Sequence, residues 1–288
     1  MEYLMTYGWS ILIVAVVLGA LSFLGVFNPM TFTPKATAGG CQVIKNTELG
    51  VSNLVGSCNN QVPQYVAKFD NSIITMSNTG LESQNFTVAF WFSELKYPPG
   101  YQYPSVGISR FENSSNILWG HSFQLPTVID NETWLGVGNG TSSGDLWIAG
   151  TGQPLNTWTF ASGTFNGVEY ELYLNGNLNA WSIPVTSSFV GINYIDTTPM
   201  IGGNNATDNP TPGTFEIADV QFYNTSLSQN AIAALYQEGI GGVPIDSRNL
   251  VGWWPLNGNA NDYSGNQNNG VETNITFTSN WYMGYSQP

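Results

Sequence analysis

The first 27 residues, MEYLMTYGWSILIVAVVLGALSFLGVF, restrict what this chain can become more than any other stretch. They carry no charge after Glu2, and the first proline is Pro29. At about 1.5 Å per residue they could form a helix of roughly 40 Å, enough to cross a hydrocarbon layer of about 30 Å. A helix apolar on every side must be buried in lipid or among other helices. Three readings follow. A secretory signal peptide calls for a basic start and a shorter apolar middle, whereas the first basic residue here is Lys35. A plain transmembrane anchor leaves a carboxylate at its start and no basic flank to orient it. In the third, Glu2 meets a partner inside an assembly, because a charge at the edge of an apolar helix is costly when unpaired. Ala15 and Gly19 form a small-xxx-small pair that permits close helix approach.

The order and spacing of EYLMTYGWSILIVAVVLGALSFLGVF resemble the N-terminal segment of archaeal type IV pilin-like proteins, which carry a class III signal peptide. The resemblance implies that Glu2 neutralises the terminal amine of a neighbouring subunit. It also implies a homopolymer built through the N-terminal helices, with a prepilin peptidase and the pilus assembly machinery as earlier partners. The expected location is an extracellular filament at the cell surface, reached from a membrane-inserted precursor. The family's basic leader, glycine cleavage site and few residues ahead of the glutamate are not found here, which places the first residue near the processed end or after a late start.

Beyond the helix the composition changes. A net charge of -13 with only 9% charged residues lacks the basic footprint of a nucleic-acid binder. Abundant Asn, Ser, Thr and Gly, with 14% aromatics, fit an all-β extracellular domain with turn-rich loops. Residues 28–40, NPMTFTPKATAGG, read as a hinge. Cys41 and Cys58 are the only cysteines. A disulfide between them would contribute about 3 kcal/mol in the chain-entropy picture. Two free thiols are the alternative, and with a single histidine, His121, a zinc site has too few ligands. The expected division is a helix over 1–28, a hinge and disulfide loop over 29–64, and a β head over 65–288.

Within the head, FTVAFWF places Phe86, Val88, Phe90 and Phe92 on one face, and Val168, Tyr170, Leu172 and Leu174 repeat the period. Asn175-Gly176 suits a type I′ turn, so 168–183 reads as a hairpin. TFEIADVQFY reads as a strand over 214–223. A helix follows it, with Ser228 as N-cap, Ile232, Leu235 and Tyr236 on one face, and Gly239 as a left-handed stop. Together YVAKFDNSIITM, NFTVAFWF, LNTWTFASGTFNGVEYELYLNGNL, GTFEIADVQFYNTSLSQNAIAALYQEGI and LVGWWPLNGNANDYSGNQNNG resemble a laminin G-like, concanavalin A-like jelly roll. The expected fold is a long N-terminal α-helix, from the apolar run, plus an all-β head, which the resemblance implies is a concanavalin A-like (laminin G-like) β-sandwich jelly roll that looks circularly permuted. The WWPLNGNANDYSGNQNNG element opens such domains, yet here it comes last. Its strand either folds back into its own head or is exchanged with a neighbour.

No reading of the residues makes this an enzyme. Glucan-cleaving relatives of the fold use clustered acids on one strand. Glu169 and Glu171 share a face, but the third acid of that motif is missing. One histidine and no nucleophile elbow leave a Ser-His-Asp arrangement without parts. No cofactor is required. A structural calcium could sit between the oxygens of Asn257, Asn259, Asn261 and Asp262 and the Asp219 carboxylate, the alternative being Asx-turns that cap the loop. Glycosylation sequons stand at Asn85, Asn113, Asn131, Asn139, Asn205, Asn224 and Asn274. Tyr97, Tyr101, Tyr103, Trp119, Trp134 and Trp147 fall in loop-rich regions where aromatics could stack on surface glycans, or they fill the core. The expectation is a pilin whose head mediates adhesion; the alternative is a monomeric, membrane-anchored, glycan-binding surface protein.

Overall fold

The computed structural model describes residues 2–23, 33–46, 51–58, 61–77, 80–99, 103–112, 117–127, 130–141, 145–182, 191–195, 197–204 and 209–288. The chain forms two compact parts, Met1–Lys35 and Ala36–Pro288.

The first part holds α1 (Glu2–Phe23), 22 residues long and about 33 Å. This corrects the expectation of a long helix over 1–28: the helix is short, and the protein is in the main a β-sandwich. The physical reason is that apolarity says how far a helix could run and does not mark its ends. Glycines stand in the run at Gly8, Gly19 and Gly25, so their presence alone does not mark the end either. No helix among the described residues is long and apolar enough to cross a membrane. Side chains are described from Tyr7 onward, so the Glu2 carboxylate lies outside them. From Tyr7 to Leu18 the large apolar side chains are about half to two-thirds exposed, and they occur on every side of the helix.

The second part is all-β apart from one helix. Its strands are β1 (Lys35–Ala36), β2 (Cys41–Asn46), β3 (Val51–Gly56), β4 (Val62–Pro63), β5 (Val66–Met76) and β6 (Phe86–Lys96). There follow β7 (Pro104–Glu112), β8 (Ile117–Gln124), β9 (Glu132–Asn139), β10 (Leu146–Thr151), β11 (Thr159–Phe165), β12 (Tyr170–Leu174) and β13 (Asn177–Ser182). The chain closes with β14 (Thr198–Asn204), β15 (Asn209–Tyr223), α2 (Gln229–Glu238), β16 (Leu250–Trp254), β17 (Gly270–Thr273) and β18 (Thr276–Thr278).

Two antiparallel layers face each other. One runs β10-β9-β8-β7-β14-β5 and the other continues β15-β6-β11-β12-β13. Strands β5 and β15 serve both layers. Residues 73–76 of β5 pair with β14 and β17, while 66–72 pair with β15 and β18. The bend falls at Asn71, whose φ of 52° lies in the left-handed region, and irregular register in β15 between Thr211 and Thr214 accompanies it. Such corners let one strand switch sheets.

The core lies between the layers. Phe86, Val88, Phe90 and Phe92 are all buried, as their spacing requires, and Phe90 meets Phe123 of the facing layer edge-on at 5.0 Å. The hairpin β12–β13 turns at Asn175 and Gly176, with φ of 49° and 73°. Helix α2 is capped by Ser228, which accepts from Ala231 N, and Tyr236 stacks on Trp91 at 5.8 Å. Gly239 ends it at the positive φ the sequence suggested, 77°, although its ψ of -175° lies outside the αL well. At the C-terminus β16 pairs with β15 of its own chain, and Trp254 is fully buried with its Nε1 donating to Asn268 O. Cys41 and Cys58 form a disulfide with Cα atoms 5.2 Å apart, across the β2–β3 ladder.

Candidate functional site

The register of β9 on β10 puts two tryptophans on one face. Trp134 stands opposite Ala149 and Trp147 opposite Gly136, so the two indoles are diagonal neighbours, each facing a small residue. A Cβ at Gly136 would lie 2.5–2.6 Å from the six-membered ring of Trp147. Only a glycine there lets that indole lie against the sheet. Both tryptophans keep part of their surface in solvent. Trp134 is held by Nε1–H donating to Asp130 Oδ2 at 3.0 Å, and the Tyr103 hydroxyl donates to the same oxygen at 3.4 Å. Asp130 is fixed in turn because its N–H donates to Thr127 Oγ1. The Tyr97 hydroxyl lies 2.8 Å from Gln153 O and 3.1 Å from Asn131 Oδ1, which brings it to the same end of the sandwich.

Four of the six aromatics singled out in the sequence thus gather at one end of β9. Tyr101 and the side chain of Trp119 lie outside the described residues. The sequence could not show Gly136 as a member, because the contact that recruits it runs across strands. Asp130 does stand four residues before Trp134, a spacing that a tight loop can close.

At the opposite end of β9 an open groove of about 790 Å³ is lined by Glu82, Gln84, Asn139, Asn193, Tyr194 and Ile195, among others. The Gln84 amide exchanges two hydrogen bonds of 2.8 Å with Ile192 N and O. Beneath it the Tyr194 hydroxyl donates to Ser83 O at 2.6 Å, so His121 Nδ1, 3.1 Å from that oxygen, must carry the hydrogen. His121 stacks on Phe86 at 3.9 Å, and burial lowers its pKa to about 3, which keeps the ring neutral.

The two carboxylates considered for calcium are engaged by N–H donors. Asp219 Oδ1 accepts from Trp253 Nε1 and Oδ2 from Gln221 Nε2, and burial raises its pKa to about 7 although both bonds oppose the rise. Asp262 accepts from the backbone N–H groups of Trp253, Ser264 and Asn268. This is the Asx-capped loop. Among the described residues no group of three His, Cys, Asp or Glu side chains is placed to hold a metal ion. Glu169 lies in the loop before β12 with Asn166, and Glu171 Oε2 accepts from the Tyr173 hydroxyl at 2.7 Å. Of the sequons, Asn85, Asn131, Asn224 and Asn274 are exposed, and the Asn139 Oδ1 accepts from Thr141 N and Oγ1. Asn113 and Asn205 lie outside the described residues. On α1, Ala15 and Gly19 share a face, and nothing lies within 4 Å of a Cβ built on Gly19.

Comparison with known proteins gives the family. Residues 69–233, more than half the chain, match the family described as the concanavalin A-like lectin/glucanases superfamily. Curated proteins yield no match. A similar solved structure is a candidate carbohydrate-binding protein from Bacteroides ovatus, 15% identical with a TM-score of 0.54, over 79% of this chain and 66% of that one. A pentraxin from Limulus polyphemus is 14% identical at a TM-score of 0.42, over 77% and 91%. A sialidase variant from Streptococcus pneumoniae is 15% identical at 0.45, over 60% and 28%. At these identities the likeness bears on the fold alone, and this chain spans about two-thirds of the first neighbour's length. The match over residues 69–233, together with the two-layered β-sandwich it covers, makes this chain a member of the concanavalin A-like lectin/glucanases superfamily.

Proposed function

We propose that the protein is a carbohydrate-binding, lectin-like surface protein whose ligand stacks on the Trp134–Trp147 face. The observation that carries this is the indole of Trp147 lying over Gly136, with Trp134 beside it and the Asp130 carboxylate at the edge. Aromatic faces take the C–H side of a pyranose, and a carboxylate accepts from sugar hydroxyls in charge-assisted hydrogen bonds. Family membership supports the reading, and no hydrolysis is assigned to it. Binding to an immobilised glycan array tests it: Trp134→Ala and Trp147→Ala should each abolish retention while leaving the melting temperature within a few degrees. Retention unchanged in both variants would remove the site.

A second reading concerns α1, whose apolar side chains are exposed on every side. That surface must be covered in use, and sister helices in a pilin-like filament at the cell surface would cover it, with Glu2, Ala15 and Gly19 at the contacts. Electron microscopy of purified full-length protein separates regular fibres from detergent-held monomers.

A further inference from the structure

From the charges fixed around the aromatic face we infer that its ligand is an uncharged glycan and that chains ending in sialic or uronic acids are rejected, an inference that rests on the carbohydrate reading. The charged groups at Trp134 and the start of β9 are carboxylates. Asp130 holds Trp134 and Tyr103, and Glu132, two residues on, is hydrogen-bonded to Asp130 and feels its charge. A sugar carboxylate is ordinarily recognised by a guanidinium fork or an ammonium group. The chain has only six Lys and Arg against 19 Asp and Glu.

Two of those cations are engaged elsewhere, while Lys96 is exposed next to Tyr97. Lys45 donates to Leu250 O and Asn266 Oδ1, and Lys68 lies against Glu216. Arg110 sits on β7 five residues along from Ser105, about 16 Å at the strand rise, and Ser105 is the residue in register with Gln124 and, through it, Trp134. An anionic sugar approaching the Trp134 edge meets like charge in a field set by a net charge of -13. A neutral sugar brings hydroxyl donors to the same carboxylates.

The test is an array of matched pairs, in which each neutral galactose-, glucose-, mannose- or N-acetylhexosamine-ended chain stands beside its sialylated or uronic-acid-capped counterpart. It is probed with the full-length protein at low and at high salt. Neutral members should be retained about tenfold or more over their acidic partners at low salt, and the gap should narrow as salt screens the repulsion. Glu132→Lys, at an exposed position, should bring each acidic member to within a few-fold of its neutral partner. Acidic members bound as well as, or better than, neutral ones by the unaltered protein would overturn the inference while leaving the carbohydrate reading standing. Retention of no member at all would overturn both.

Discussion

Glycine and asparagine in the tight turn of β12–β13 show how much a single residue can say. Asn175-Gly176 was legible because few residue pairs accept two positive φ angles in succession, and both are found there. Gly176 also faces the Tyr236 ring, which a Cβ would approach to 2.9 Å. Gly176→Ala should therefore cost about 1–2 kcal/mol from the left-handed backbone alone, read as a lower midpoint in urea. Buried carboxyls were less legible, since nothing in FTVAFWFSELK says that Glu94 follows Phe92 into the interior. It is 2% exposed, neither oxygen has a hydrogen-bond partner among the described residues, and burial raises its pKa to about 9. Burial likewise raises Glu216 and Asp219 to about 7. Unfolded, these groups titrate near 4.5 and 3.8, so across the window up to their folded values the unfolded chain holds fewer protons and stability falls as pH rises. His121 acts in reverse: its contribution is complete above pH 6.5 and is lost as pH falls toward 3. Between pH 6.5 and 9 the carboxyls alone of these four act, and the melting temperature should drop. Glu94→Gln should flatten that limb, and an unchanged slope in the variant would contradict the account.

Among the elements, α2 was readable from its cap and periodicity, and β6 from its alternation, because each is decided by neighbours in sequence. The end of α1 was not, since its apolar run holds Gly8, Gly19 and Gly25 and the sequence alone does not say which of them accompanies the stop after Phe23. The aromatic face lies between these cases. Trp134 and Trp147 are visible as residue types, but their juxtaposition depends on the β9–β10 register, and the recruitment of Tyr103 depends on a loop that returns to Asp130. The β2–β3 ladder is a two-stranded piece in which none of the six β3 residues is buried, so its disulfide matters more than it would in the core. Cys41→Ser with Cys58→Ser should cost about 3 kcal/mol for the 17-residue separation, measured by urea unfolding. A loss below measurement would mean that the ladder is held without it.

At the scale of the whole molecule, the sandwich places both ends of β9 at the surface while Phe90, Phe123, Leu135 and Val137 close the interior between them. The layering could be anticipated from strand count and alternation. The way β5 and β15 pass from one sheet to the other could not, because it depends on the bend at Asn71 and the irregular register near Gly213. The account's central claim is that sugar is bound on the rigid β9–β10 face, with Trp134 and Trp147 as the contact. Nuclear magnetic resonance of the indole N–H signals, with the full-length protein titrated by a neutral oligosaccharide retained on the array, tests that most directly. The signals of Trp134 and Trp147 should shift on binding while those of the buried Trp91, Trp158 and Trp254 stay in place. Binding that leaves Trp134 and Trp147 unmoved would contradict it.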